Sequence, residues 1–241
     1  MTRRAVWTRV RGVRGFLRQE RLLVAVLLVI VGCGWVFVEV LDEVLEGEPE
    51  EFDGWVAGLL EGDAGPGSRV GPGWLVTAAG DLTALGSAAV LGVVVALAAG
   101  WFALRRSWGR ALLVLAASAG GQALSSLLKL VFGRERPDEA GRLVEVSTLS
   151  FPSGHAMMAA VVYLTLGVLV ASTRERRAER VFIIGAASLL TGVVGATRVF
   201  LGVHHATDVL AGWSIGLAWA LGCLLAARRL WPGRAGPAGA R

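Results

Sequence analysis

Leu22–Leu41, LLVAVLLVIVGCGWVFVEVL, is the stretch whose reading decides the fold class. It is twenty residues long and carries a single charge, Glu39. A helix needs about 20 mostly apolar residues to cross the hydrocarbon core of a bilayer, so this segment reads as a membrane span. Working outward, five further stretches have the same character: one within Leu82–Leu104, one within Ala111–Phe132, then Ala156–Ser172, Val181–Phe200 and Val209–Ala227. Glycine and alanine are frequent inside them, which suits close helix–helix approach in lipid. The expectation is an all-α integral-membrane bundle of six transmembrane helices forming one domain over residues 22–227. A basic cytoplasmic amphipathic arm precedes it at 1–21, and a disordered Pro/Gly/Ala tail follows at 228–241.

Composition agrees. Of the 241 residues, 54% are hydrophobic and 18% charged, and the mean hydropathy is +0.61. Soluble domains carry about a quarter charged residues, and disordered chains fewer apolar ones. The two cysteines, Cys33 and Cys223, are too few for a disulfide-stapled module. Their expected depths, about 17 Å and about 6 Å from the inner ends of their spans, argue against pairing. With three histidines, only five Cys/His side chains exist, and no four-ligand zinc site is expected.

The basic residues settle orientation. There are 24, of which Lys129 is the sole lysine, and the pI is about 10.4. Eighteen fall on one face of the alternating plan: Arg3 to Arg21 before the first span, Arg105, Arg106 and Arg110, then Arg174, Arg176, Arg177 and Arg180, and finally Arg228, Arg229, Arg234 and Arg241. The other face holds Arg69, Lys129, Arg134, Arg136, Arg142 and Arg198. The positive-inside rule then puts both termini in the cytoplasm. The high pI becomes a topology signal, and no nucleic-acid partner is expected.

Long basic flank and long apolar run make the N-terminus an uncleaved signal anchor in this reading. Val6, Val10, Val13 and Leu17 recur at helical spacing among arginines, the pattern of a helix lying on anionic inner-leaflet lipid; a disordered basic arm is the alternative. Asp42–Asp63 carries nine carboxylates. Within it Phe52, Trp55, Val56, Leu59 and Leu60 could form the apolar face of a short interfacial helix, a lip for a lipid substrate. An acidic solvated loop with a membrane-resting turn is the preferred reading. Gly62–Gly73 reads as a turn region.

The polar anomalies gather in three places. The third span ends in Lys129-x6-Arg136-Pro137; two helical turns separate the cations, and the proline marks the helix end. Snorkelling basic residues would look the same. The fourth span opens with Pro152-Ser153-Gly154-His155, where Ser153 suits an N-cap and the free amides an anion. Between spans five and six lies Arg198-x5-His204-His205-x2-Asp208. His204 and Asp208 stand one helical turn apart, so the carboxylate can hold one imidazole nitrogen and leave the other as base or nucleophile. His205 points away and is assigned no chemistry. With six alternating spans, all three places land on the extracytoplasmic side. Three cations, a helix N-terminus and two histidines on one side suit the oxygens of a phosphoryl group.

In order and spacing these three motifs resemble the signatures of the type-2 phosphatidic acid phosphatase superfamily, which includes membrane lipid phosphatases and the soluble vanadium haloperoxidases. The match runs from Ala111 to about Ala227, and departs from the pattern at Thr197, usually serine. The resemblance implies that His204 is the nucleophile forming a phosphohistidine, that Asp208 orients it, and that His155 protonates the leaving group and then activates water. Lys129, Arg136, Ser153, Gly154 and Arg198 would bind the phosphate. It implies no metal and no cofactor, with fixed cations in the role of Mg²⁺. No Walker loop is present.

The expected function is an integral-membrane lipid phosphatase of the cell membrane. It would hydrolyse a lipid phosphate monoester or diphosphate at the extracytoplasmic face, with isoprenyl diphosphate, phosphatidic acid or phosphatidylglycerophosphate as substrate. Two alternatives stand beside it: a lipid phosphotransferase on the same scaffold, and a non-catalytic lipid transporter or scaffold.

Overall fold

The computed structural model describes residues 3–47, 50–62, 68–137, 143 and 149–230, with side chains described from Glu20 onward except that of Glu50. The expected tail beyond Leu230 and the amphipathic face of Val6, Val10, Val13 and Leu17 lie outside the described residues or side chains.

Among the described residues, eight helices carry the fold. They are α1 (Arg3–Glu46), α2 (Glu50–Leu60), α3 (Gly73–Thr83), α4 (Ala88–Leu104), α5 (Trp108–Phe132), α6 (Gly154–Ala171), α7 (Arg177–Phe200) and α8 (Ala206–Leu230). Among the described residues the β pairing is one isolated bridge, Glu61 with Arg69. Among the described residues five helices are long and apolar enough to cross a membrane: α5 to α8 and the Glu20–Glu46 part of α1. A bent pair, counted as one span, would make a sixth. α3 continues through a single 3-10 turn, Ala84–Gly86, and meets α4 at 47°. The second span was expected within Leu82–Leu104. It begins instead at Gly73 and breaks where Ser87 adopts an extended backbone and its hydroxyl accepts from the Val90 amide at 3.3 Å.

A second correction concerns Asp42–Asp63. α1 persists to Glu46, and Glu50–Leu60 is helical where an acidic loop was the preferred reading. The Phe52, Trp55 and Leu59 side chains stand on its exposed face, while Asp53 is buried.

α6 is the most enclosed span and lies at the centre of the bundle. Its tight seam is with α8, where Gly212 and Gly216 repeat at four-residue spacing. A Cβ at Gly212 would stand 2.7 Å from the Ser153 carbonyl oxygen, and one at Gly216 would stand 2.6 Å from that of Met157. Two backbones approach this closely only where both positions lack side chains. α1 closes the other flank, with Phe37 and Val40 against Phe151 and Ala211. A five-residue stretch of wider, π-type hydrogen bonding, Ala160–Leu164, interrupts α6 where Tyr163 donates to the Leu85 carbonyl of the bent pair at 2.7 Å.

Candidate active site

α5 ends when Gly133 takes the left-handed conformation (φ 54°) and its amide caps back to Lys129. The helix therefore ends at Phe132, four residues short of the Arg136 end expected from sequence, and Arg134 and Arg136 lie on the non-helical chain beyond it. That extension lets Arg136 turn back over the site. Its Nη1 donates to the Val203 carbonyl and stands 3.2 Å from His204 Nε2. Lys129 stays in the last turn of α5, where Nζ donates to the Leu149 carbonyl at 2.6 Å.

Ser153 occupies the N-cap position of α6, but its hydroxyl makes no capping bond. Ser153 Oγ is buried and has no hydrogen-bond partner among the protein atoms, and the same is true of Arg198 Nε. Buried donors of this kind cost about 1–3 kcal/mol each unless something accepts from them, and both suit a phosphate oxygen. Gly154 brings its backbone close to Lys129, whose Cε would be 3.6 Å from an added Cβ. His155 follows and packs on Gly86 of the bent span, where an added Cβ would stand 3.2 Å from its ring. Arg198, in the last turn of α7, is held from the same span by Thr83, whose Oγ1 accepts from Nη1 at 3.3 Å. Thr197 is buried and its hydroxyl donates to the Val194 carbonyl at 2.7 Å. It is thus occupied within its own helix.

His204 precedes α8, and Asp208 lies in the first turn of α8. His204 Nδ1 is 3.3 Å from Asp208 Oδ2. With Nδ1 held by the carboxylate, the Nε2 lone pair faces the cations. Burial pushes the imidazole down to about 3; Asp208 opposes this by its hydrogen bond and its charge, while Arg136 and Arg198 add to it. The ring is therefore neutral, the state a nucleophile needs.

Several residues escaped the sequence reading. Ser150 is fully buried and donates to Asp208 Oδ2, and the His205 amide donates to the same oxygen at 2.9 Å. Arg134 donates to Asp208 Oδ1 at 2.9 Å and to Asp53 Oδ2 at 2.9 Å. Asp53 also accepts from the Thr207 amide and hydroxyl, at 2.9 and 2.6 Å. His205, assigned no chemistry, has Nδ1 3.7 Å from Asp53. Arg134 carried a signal in standing two positions from Arg136; Asp53 was one of nine loop carboxylates with nothing to separate it. Among the described residues no three His, Cys, Asp or Glu side chains group as metal ligands.

So the eight residues singled out from sequence come together at one end of the bundle. Residues 108–232 match the family model described as the PAP2 superfamily. The chain belongs to the PAP2 superfamily. Among PAP2 relatives it is 38% identical over 148 residues to phosphatidylglycerophosphatase B of Bacillus subtilis, covering 60% of this chain and 71% of that one. It is 35% identical over 131 residues to a decaprenylphosphoryl-5-phosphoribose phosphatase of Mycolicibacterium smegmatis, covering 47% and 63%. A crystal structure of a transmembrane PAP2 type phosphatidylglycerolphosphate phosphatase from Bacillus subtilis superposes with a TM-score of 0.73 at 28% identity, over 83% of this chain and 96% of that one. The chain is accordingly a multi-pass membrane protein of a PAP2 phosphatase family.

Proposed function

We propose that this protein is a metal-independent lipid phosphatase of the cell membrane, acting at the extracytoplasmic face on a lipid phosphate monoester or diphosphate. The observation that carries this reading is the pairing of a neutral, carboxylate-held His204 with Arg136 at Nε2 and two buried, unpartnered donors, Ser153 Oγ and Arg198 Nε. Phosphoryl transfer asks chiefly for positioning and charge stabilisation, and fixed cations supply both.

His204 Nε2 attacks phosphorus as the bond to the leaving oxygen breaks, and His155 delivers a proton to that oxygen. Asp208 stabilises the imidazolium of the resulting phosphohistidine. His155, now neutral, takes a proton from water, whose oxygen displaces His204 and releases inorganic phosphate. Lys129, Arg136, Arg198, Ser153 and the Gly154 amide hold the phosphate oxygens throughout. Isoprenyl diphosphate, phosphatidic acid and phosphatidylglycerophosphate all present the required group on an apolar anchor, and the site residues gather at the end of the spans, the level at which such a headgroup would lie. The named activities of the relatives, on phosphatidylglycerophosphate and on a decaprenyl-linked sugar phosphate, support an amphiphilic substrate.

Phosphate release by the purified protein over a panel of lipid phosphates and diphosphates, with and without EDTA, tests this. At least one lipid is expected to be hydrolysed at the same rate in EDTA, and His204→Ala should lower that rate roughly 10³-fold or more. Unchanged release by His204→Ala would remove the nucleophile, and EDTA sensitivity the metal-free chemistry.

A further inference from the structure

α2 is an eleven-residue helix with an apolar outer face, yet it turns one carboxylate inward. Asp53 is 6% exposed and its two oxygens are shared among groups from two other parts of the chain. Oδ1 accepts from the Thr207 amide, and Oδ2 from the Thr207 hydroxyl and Arg134 Nη2. Arg134 Nη1 in turn donates to the Thr207 hydroxyl at 2.8 Å and to Asp208 Oδ1 at 2.9 Å. The result is a closed ring of Asp53, Arg134 and Thr207, to which Arg134 ties Asp208.

Resting on the reading of His204 as nucleophile, we propose that Asp53 is a positioning residue for phosphoryl transfer, fixing Asp208 through Arg134 and Thr207 and so setting the orientation and basicity of His204.

Two physical effects support it. The first is geometric. Thr207 is the second residue of α8, and its amide is one of the donors that a helix start leaves without an intrahelical acceptor. Asp53 accepts from it across the fold, so a carboxylate on α2 caps α8 and fixes the turn that carries Asp208. The second is electrostatic. Arg134 stands between two carboxylates. With Asp53 ionised, its charge is divided between them, and Asp208 keeps more of its own charge for His204. Remove the Asp53 charge and the guanidinium field falls on Asp208 alone, which weakens its hold on an imidazolium. The other charged groups around the pair are His205 facing Asp53, Arg136 and Arg198 facing His204, and Lys129 near Asp208. None of them replaces a carboxylate at that position.

The test compares two anions that read different things. Orthovanadate forms a bond to the nucleophilic nitrogen and reports its basicity and aim; inorganic phosphate binds the cations without that bond. Both affinities are measured by protection of the detergent-purified protein against thermal unfolding, beside kcat and KM for a hydrolysed lipid phosphate. In Asp53→Asn, vanadate affinity and kcat should each fall about tenfold or more, while phosphate affinity and KM stay within about twofold. Asp53→Glu should recover part of the loss. If Asp53→Asn does not fold, Arg134→Lys, which keeps the charge but lacks the planar fork that reaches Asp53 with one nitrogen and Asp208 with the other, should show the same split.

Equal weakening of both anions, or a lowered melting temperature with both affinities unchanged, would make Asp53 a purely structural anchor and overturn the inference. These outcomes are separate from failure of the proposed function. A wild-type protein that hydrolyses no lipid phosphate would count against the function, while the ratio of vanadate to phosphate affinity would still read the effect of Asp53 on His204.

Discussion

Arg134 and Arg136 stand two positions apart and do different work. Arg136 turns toward His204 Nε2 and the carbonyl rim, whereas Arg134 turns away to join Asp208 to Asp53. Sequence separated them only through the proline that follows Arg136. Charge type and spacing were legible, but the direction each side chain takes depends on Gly133 ending the helix early, which no apolar periodicity marks. His204 is the residue whose chemistry can be read most directly from rate. Its ordinary pKa is about 6.5, and burial drives it down to about 3. Activity requires its neutral form, so protonation of His204 removes activity only well below pH 6.5. On the alkaline side, activity falls as His155 loses the proton that the leaving group needs. The pH profile of kcat, which reads the complex in which the substrate's phosphate charge faces His155, should therefore be bell-shaped with its acid limb displaced far down. A flat profile from pH 5 to pH 9, with chemistry rate-limiting, would contradict the assignment of opposite duties to the two histidines.

Among the elements, those recognisable by length and apolarity were legible, and those defined by a local break were not. α5, α6, α7 and α8 coincide with the expected spans to within a few residues at either end. The second span differs because its bend is a matter of one capped serine and a 3-10 turn, and an extended Ser87 inside an apolar run leaves no gap in hydropathy. The bend matters for the site: it carries Thr83 to Arg198 and sets Gly86 beneath His155. α2 shows the limit of charge counting. Its carboxylates look alike in sequence, and only the packing of α2 against the start of α8 distinguishes Asp53. The α6–α8 seam gives a prediction at this scale. A valine at Gly216 would have to displace the Met157 backbone, and overpacking of this kind costs about 1–3 kcal/mol or more. Gly216→Val should lower the melting temperature in detergent, while Gly222→Val, where an added Cβ meets nothing within 4 Å, should leave it nearly unchanged. Equal melting temperatures would mean that the seam tolerates separation.

For the molecule as a whole, the alternation of spans was the most informative inference available from sequence. It brings residues far apart in the chain to one end of a bundle, and the helices place them there. The arginines of the α4–α5 and α6–α7 connections and those at the end of α8 lie at the opposite end. The proposed orientation follows from them. In intact cells with Cys33 and Cys223 replaced by serine, a cysteine introduced at Glu61 should react with a membrane-impermeant maleimide from outside. One introduced at Arg176 should react only after permeabilisation. The reverse pattern would put the site in the cytoplasm. What sequence did not reveal at this scale is how much of the site lies outside its motifs. Motif spacing reports residues that touch the substrate, whereas residues that hold them come from wherever packing brings another helix.

That division bears on how the protein can be taken apart. The family match begins at residue 108, and all eight motif residues follow it. Asp53, Thr83 and Gly86 precede it, as do the helices that carry them. The connection between α4 and α5 is short and includes Arg106 in a left-handed conformation, a natural place to divide the polypeptide. A C-terminal half expressed alone would hold every signature residue, yet lack the carboxylate that caps α8 and the hydroxyl that holds Arg198. The two halves are thus complementary pieces of one catalytic unit rather than an enzyme and an anchor, and activity should return only when both are made in the same membrane.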